Sequence, residues 1–246
     1  ELAGELQAFL EKVVHYYPGI SLSQLALVVL DSGEHLLGHL PSKFGKYAAS
    51  VLRKRGAKLL LKQDVGAIDA AGLILKDGTR ISSATVIWAA GEQPSPLASA
   101  LGLKTGKHGA IEVGGGMSVK GAPHLWALGD CAAVPRPHGG TYAPLAQNAI
   151  REGALLARNI VASIEGKPTS NFRYLERGQM ASLGNRKAVA LLPGGHMITG
   201  TAAWLAWRAY YLGRLPSLQL KTRVSIDWAL GTLFRSGASR LPMVDR

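Results

Sequence analysis

The stretch His124-Leu-Trp-Ala-Leu-Gly-Asp-Cys-Ala132 places an acidic side chain where ligand chemistry often sits. Leu125 to Leu128 form an apolar run that predicts a buried strand, stopped by Gly129-Asp130. In doubly wound sheets ligands bind beyond the carboxyl ends of strands, so an ionised Asp130 suits a sugar hydroxyl. Residues 25–33, Leu-Ala-Leu-Val-Val-Leu-Asp-Ser-Gly, repeat the arrangement as a buried strand closing on Asp31. Each carboxylate has a plainer alternative role, capping its own turn. A phosphate loop would complete such a site, yet no G-x-G-x-x-G occurs in the 246 residues. Gly114-Gly115-Gly116 lies between strand-like pieces and opens no helix, so it reads as a turn. The single Cys131 excludes a disulfide framework, a Cys-x-x-Cys pair and a cysteine-built zinc site within the chain, and fits cytoplasmic chemistry. It reads as a small buried residue. The seven histidines are scattered without ligand spacing, and no metal site is expected.

The elements that must position these residues follow from apolar spacing. Leu2, Leu6, Phe9, Leu10 and Val13 recur at helical intervals, and this first helix begins without a cap, as an internal position of a longer protein would. A second helix is expected from Ser42 to Arg55, started by Pro41-Ser42 and stopped by Gly56. Short strands are expected at 58–62, 64–69 and 72–75, with a hairpin turn at Asp77-Gly78. Thr85-Val-Ile-Trp-Ala-Ala-Gly91 reads as another apolar strand. A long helix near 142–166 has its apolar face at Ala149, Leu156, Ile160 and Ile164. Strands are expected at 172–176 and 187–192, then two amphipathic helices near 199–212 and 220–235.

Composition describes a globular chain, 47% hydrophobic and 18% charged, with a net charge of +12. No secretory signal is expected, since no basic leader with an apolar core precedes residue 20. From Gly166 onward, 12 Lys/Arg face only Glu176, Asp227 and Asp245, so most of the charge sits in the tail beside Trp204, Trp207, Tyr210, Tyr211, Trp228 and Phe234. Basic residues among aromatics fit nucleic acid or an anionic membrane surface. The charge lies on apolar-faced helices without a nucleic-acid motif, so nucleic acid is disfavoured. Arg208 interrupts the longest apolar run, so the helices lie on a membrane rather than cross it. Packing on the protein's own surface is the competing reading.

Together these motifs resemble the type II (alternative) NADH dehydrogenases, FAD-dependent NADH:quinone oxidoreductases of the pyridine nucleotide-disulphide oxidoreductase superfamily. Glu1-Leu-Ala-Gly-Glu-Leu6 resembles the helix after the family's second dinucleotide loop, and Val28-Val-Leu-Asp-Ser-Gly33 the strand holding the NADH ribose. Residues 85–91 are similar to the crossing back to the FAD domain, 124–134 to the second FAD motif, and Leu145-Ala-Gln-Asn-Ala-Ile-Arg-Glu-Gly153 to the Ala-Gln helix. Phe172-Arg-Tyr-Leu-Glu-Arg-Gly-Gln-Met-Ala-Ser-Leu-Gly184 resembles the family's C-terminal segment, the most specific of the matches. The resemblance implies an α/β fold, a partial two-dinucleotide-binding-domain (Rossmann-like) flavoprotein with a C-terminal membrane-surface helical segment. It divides the chain into a truncated NADH-binding domain (1–91), a returning part of the FAD domain (92–165) and a membrane-associating domain (166–246). Its implied site has Glu1 facing nicotinamide and flavin, and Gln147 lining the quinone site, as catalytic residues. Gly129, Asp130 and Ala146 would bind FAD; Asp31 and Gly91 would bind NADH. Implied partners are NADH, quinone and the lipid surface at the cytoplasmic face of the inner (plasma) membrane, with homodimerisation also open. Two residues depart from the pattern: Arg151 stands where the family has Gln, and Glu92 is unusually polar. Without its phosphate loops the chain alone is expected to be inactive; a non-catalytic membrane-surface or scaffold fragment is the alternative.

Overall fold

The computed structural model describes residues 1–91, 93–106, 109–175 and 178–234. Glu92, position 176 of the expected strand and position 235 of the expected last helix lie outside the described residues. The first stretch runs α1 (Leu2–Val13), β1 (Val28–Asp31), α2 (Ser42–Lys54), β2 (Lys58–Leu61), β3 (Val65–Asp69), β4 (Gly72–Leu75) and β5 (Arg80–Ser82). Next come α3 (Leu97–Ala100), β6 (Ile111–Glu112), β7 (Ser118–Val119), β8 (Ala122–Trp126), β9 (Ala132–Ala133) and α4 (Ala146–Ile164). The last stretch holds β10 (Gln179–Ser182), β11 (Ala188–Leu191), β12 (Met197–Thr199), α5 (Gly200–Arg214) and α6 (Leu218–Leu233). Two compact units result, one joining Glu1–Val86 with Gly178–Arg246 and the other comprising Ile87–Arg177. The boundaries expected from sequence lie at 91/92 and 165/166 instead.

In the first unit β1 and β2 pair in parallel, Val28 opposite Lys58 through Asp31 opposite Leu61, with α2 as the crossover. Phe44, Ala48 and Leu52 recur every four residues on α2, so one face enters the core with Leu36, Leu40, Ala181, Leu183 and Val189. β3, β4 and β5 form an antiparallel meander, as do β10, β11 and β12. α1 meets the turn after β10 without side chains between them: a Cβ on Gly4 would lie 2.4 Å from the Leu183 carbonyl oxygen. Arg55 ties this junction, donating Nη1–H to Leu183 O (2.9 Å) and Nε–H to Glu11 (3.1 Å). α5 packs its one buried side chain, Ala203, on Ala188 and Ala190.

In the second unit β6 pairs in parallel with β9, and β7 antiparallel with β8. Its core gathers Val113, Met117, Val134, Tyr142, Leu156 and Phe172. The triple glycine forms the expected turn, with Met117 N–H donating to Gly114 O (2.9 Å).

Several expectations fail for stated reasons. Residues 85–91 form no strand, with Ile87 52% and Trp88 60% exposed. Among the described residues no strand runs alongside them, and β-propensity without a ladder partner leaves the chain extended but unpaired. β1 is half-buried rather than buried, because among the described residues only one strand flanks it. Leu125 on β8 is exposed, so the run is not buried along its length, while Ala127, just past the end of β8, is buried. Described residues of 172–176 contribute side chains, not a ladder; the neighbouring strand is β10, at 179–182. Cys131 is exposed rather than buried, on the 3-10 turn Gly129–Cys131, with Sγ donating to the Leu128 carbonyl (3.2 Å).

Candidate functional site

α4 organises the second unit by burying a polar stripe. Asn148, Glu152, Leu156 and Asn159 are its buried residues, at spacings of four, four and three that share one helix face. Of the expected apolar face only Leu156 is buried, and Ile164 is 80% exposed. Each polar member holds a loop. Asn159 donates Nδ2–H to Gly116 O (3.0 Å) and Ser170 O (2.9 Å), and its Oδ1 accepts the Ser170 N–H (2.9 Å). Asn148 donates to Ala143 O (2.9 Å), and its buried Oδ1 finds no donor. Glu152 accepts the Gly129 N–H (2.7 Å).

That last bond fixes the turn that carries Asp130. Gly129 has φ +68°, a left-handed conformation that favours glycine, and a Cβ there would touch the Ala149 methyl at 3.4 Å. Gly129–Cys131 is one turn of 3-10 helix, on which the Asp130 side chain is exposed. Burial raises the Glu152 pKa above its ordinary value, the Gly129 N–H pulls it down, and the nearby Asp130 charge raises it again. Sequence reasoning missed Glu152 as a positioning residue. Its spacing from Asn148 and Asn159 was the available signal.

The structure brings Gly129 and Asp130 against α4, whose first residues are Ala146 and Gln147. Gln147 is half-buried, and its side-chain oxygen accepts the Tyr174 hydroxyl proton (3.2 Å). Gly91, in the same unit, has φ +97° and open space where a side chain would stand. Asp31 and Glu1 belong to the other unit. Asp31 ends β1 with Oδ1 accepting the Gly33 N–H (2.8 Å), so one oxygen caps the turn and the other has no partner among the described residues. Glu1 precedes α1, and its carboxylate accepts the Ser182 N–H of β10 (2.6 Å). No cluster of His, Cys, Asp or Glu that could hold a metal ion occurs among the described residues.

The tail presents a different surface. Arg208 of α5 lies between two indoles, 4.0 Å from the Trp204 ring centroid and 4.3 Å from that of Trp228 on α6. Burial, then the Arg186 charge, lowers its pKa, while Glu5 opposes. Placed between the two indoles, the Arg208 guanidinium clasps α5 to α6. Trp207 lies against Tyr211 with ring centroids 4.7 Å apart and planes tilted by 50°, a contact the four-residue step allows. Leu205, Tyr210, Leu218, Ile226, Leu230 and Phe234 are exposed. No helix among the described residues is long and apolar enough to cross a membrane.

Against known proteins, residues 1–153 match the pyridine nucleotide-disulphide oxidoreductase family, and residues 177–236 match the NDH2 C-terminal domain. The type II NADH:quinone oxidoreductase Ndh of Mycobacterium tuberculosis is 28% identical over 258 residues, covering 100% of this chain and 54% of its own. The internal alternative NAD(P)H-ubiquinone oxidoreductase A1 of Arabidopsis thaliana mitochondria is also 28% identical, over 98% of this chain and 50% of its own. The chain thus spans about half the length of the curated relatives it matches. NDH2 from Plasmodium falciparum, solved in complex with NADH, superposes with a TM-score of 0.84 over 98% of this chain and 64% of its own, at 16% identity. The expected α/β fold is thereby borne out.

Proposed function

The chain belongs to the pyridine nucleotide-disulphide oxidoreductase family, and we propose that it forms part of a membrane-associated FAD-dependent NADH:quinone oxidoreductase. The observation that carries the reading is the joint match of residues 1–153 to that family and of 177–236 to the NDH2 C-terminal domain. FAD, when bound, supplies the electron transfer between NADH and quinone. Asp130 and Gly129 hold its ribitol hydroxyls, with Ala146 beside it; the exposed carboxylate and the orphaned acceptor of Asn148 support a hydroxyl-bearing ligand there. Asp31 accepts the adenosine ribose hydroxyls of NADH through its free oxygen and repels a 2′-phosphate. Gly91 leaves room for the dinucleotide, Glu1 faces the nicotinamide, and Gln147 meets the quinone. On this reading residues 1–91 serve NADH, 92–165 FAD, and 166–246 the cytoplasmic face of the inner membrane as a peripheral surface.

The full-length protein carrying this chain should purify yellow and reduce a short-chain quinone with NADH. A colourless, inactive full-length protein overturns the reading. The 246 residues alone hold no glycine-rich phosphate loop, so the flavin diphosphate lacks its helix N-terminus and this piece should purify colourless. In the full-length enzyme Asp31→Ser should cut the preference for NADH over NADPH by about tenfold, since a charged hydrogen bond is worth roughly 1.5–3 kcal/mol. Equal use of both nucleotides by the unsubstituted enzyme removes the role given to Asp31.

A further inference from the structure

Gln147, Arg151 and Tyr174 form a closed set in the second unit. The Arg151 guanidinium lies 4.2 Å over the centre of the Tyr174 ring and donates Nη1–H back to the Gln147 carbonyl (2.7 Å). The Tyr174 hydroxyl donates to the Gln147 side-chain oxygen (3.2 Å). Tyr174 is anchored from behind, its N–H donating to the Tyr142 hydroxyl (3.0 Å) and its ring beside Phe172.

A primary amide can turn either its oxygen or its NH2 toward a neighbour, and a phenol can serve as donor or acceptor. The cation over the ring resolves this ambiguity. It draws electron density from the phenol, strengthening the hydroxyl as a donor and weakening it as an acceptor. The amide oxygen of Gln147 is therefore the end that faces Tyr174. Its Nε2 hydrogens are left directed away, with no acceptor among the described residues.

We propose that Arg151 and Tyr174 are positioning residues that lock the Gln147 amide with its NH2 outward, so that the site selects the oxidised, carbonyl-bearing quinone over the quinol product. The inference rests on the quinone-reducing reading above. A quinone oxygen only accepts and is met by the fixed NH2; a quinol hydroxyl is a weaker acceptor for that NH2, and its own proton finds no acceptor on that group. The arrangement favours substrate entry and product release at one side chain.

The test uses the full-length enzyme with NADH and a short-chain quinone, measuring KM for the quinone and Ki for its quinol. Tyr174→Phe removes the lock and lets the amide rotate. The ratio of quinol Ki to quinone KM should fall about tenfold, while flavin bleaching by NADH, a step in which the quinone takes no part, keeps its rate. Arg151→Gln keeps a side chain of similar reach without the cation, and should lower the same ratio severalfold. A ratio that stays constant in both variants overturns the inference. So does a ratio that moves only together with the bleaching rate, which marks a general loss of structure. An unsubstituted enzyme that bleaches with NADH but reduces no quinone fails the functional reading instead.

Discussion

α4 and α6 are of similar length, 19 and 16 residues, and both leave apolar side chains in water. Ile150, Val161 and Ile164 stand outside on α4, and Leu218, Ile226 and Leu230 on α6. The two differ in what holds them. α4 buries Asn148, Glu152 and Asn159, each hydrogen-bonded to a separate loop. None of the described side chains of α6 is buried, and its clasp to α5 is the Arg208 guanidinium between two indoles. Directional bonds in a dry interior tolerate little displacement, which suits a helix that must aim Gln147 and brace Gly129-Asp130. Stacking tolerates sliding, which suits a helix that offers its outer face to something soft.

The sharpest way to break this contrast is to remove the most connected member of the stripe. Asn159→Ala strips partners from Gly116 O, Ser170 O and Ser170 N–H at once. With about 1–3 kcal/mol for the buried Gly116 O left unsatisfied, and less for the groups of the exposed Ser170, the loss should reach about 2–3 kcal/mol in thermal or urea unfolding. A cost under about 1 kcal/mol would mean the stripe is wetted and α4 is held no more firmly than α6.

Next in size is the converse experiment on α6. Leu218, Ile226 and Leu230 are exposed, so replacing all three with Glu should leave stability within about 0.5 kcal/mol per site. Binding of the full-length protein to anionic vesicles should fall about a hundredfold, about 2–3 kcal/mol, as three apolar anchors become charges facing a negative surface. The unsubstituted protein should keep part of its binding at high salt, since apolar insertion is not screened. Unchanged sedimentation of the triple variant would assign the face to another role.

The same contrast explains which parts of the molecule were legible in the sequence. Helix positions and the hairpin at Asp77-Gly78 came out of local signals, because capping, turn chemistry and period act within a few residues. Residues 85–91 misled because a strand exists only with its neighbour, and propensity says nothing of whether one is there. Asp130 and Asp31 were visible as acids ending apolar runs. Glu152 was invisible because reading α4 by apolar periodicity passes over buried polar residues, which pay for burial with bonds to loops distant in sequence. The clasp made by Arg208 was hidden for a similar reason, as its partner Trp228 lies on the next helix. The Tyr174–Gln147 bond spans 27 residues, beyond the reach of any local pattern.

The smallest effect asks whether the stripe needs a charge at all. Burial and the Asp130 charge raise the Glu152 pKa in the folded protein, against the lowering pull of the Gly129 N–H. A carboxyl group whose folded pKa lies above its unfolded value binds more protons when folded. Its contribution to stability is therefore greatest in acid and falls as pH rises from the ordinary carboxyl range through the raised value. Glu152→Gln keeps an acceptor for Gly129 and removes the buried charge. The variant should match the unsubstituted protein near pH 4 and exceed it at pH 7 by a difference on the order of 1 kcal/mol, read as melting temperature across a pH series. A variant less stable at pH 7 than at pH 4, relative to the parent, would show that the ionised carboxylate itself holds the Gly129 turn. Glu152 would then be tied to its loop by charge, and the stripe on α4 would owe its rigidity to an ion rather than to neutral bonds.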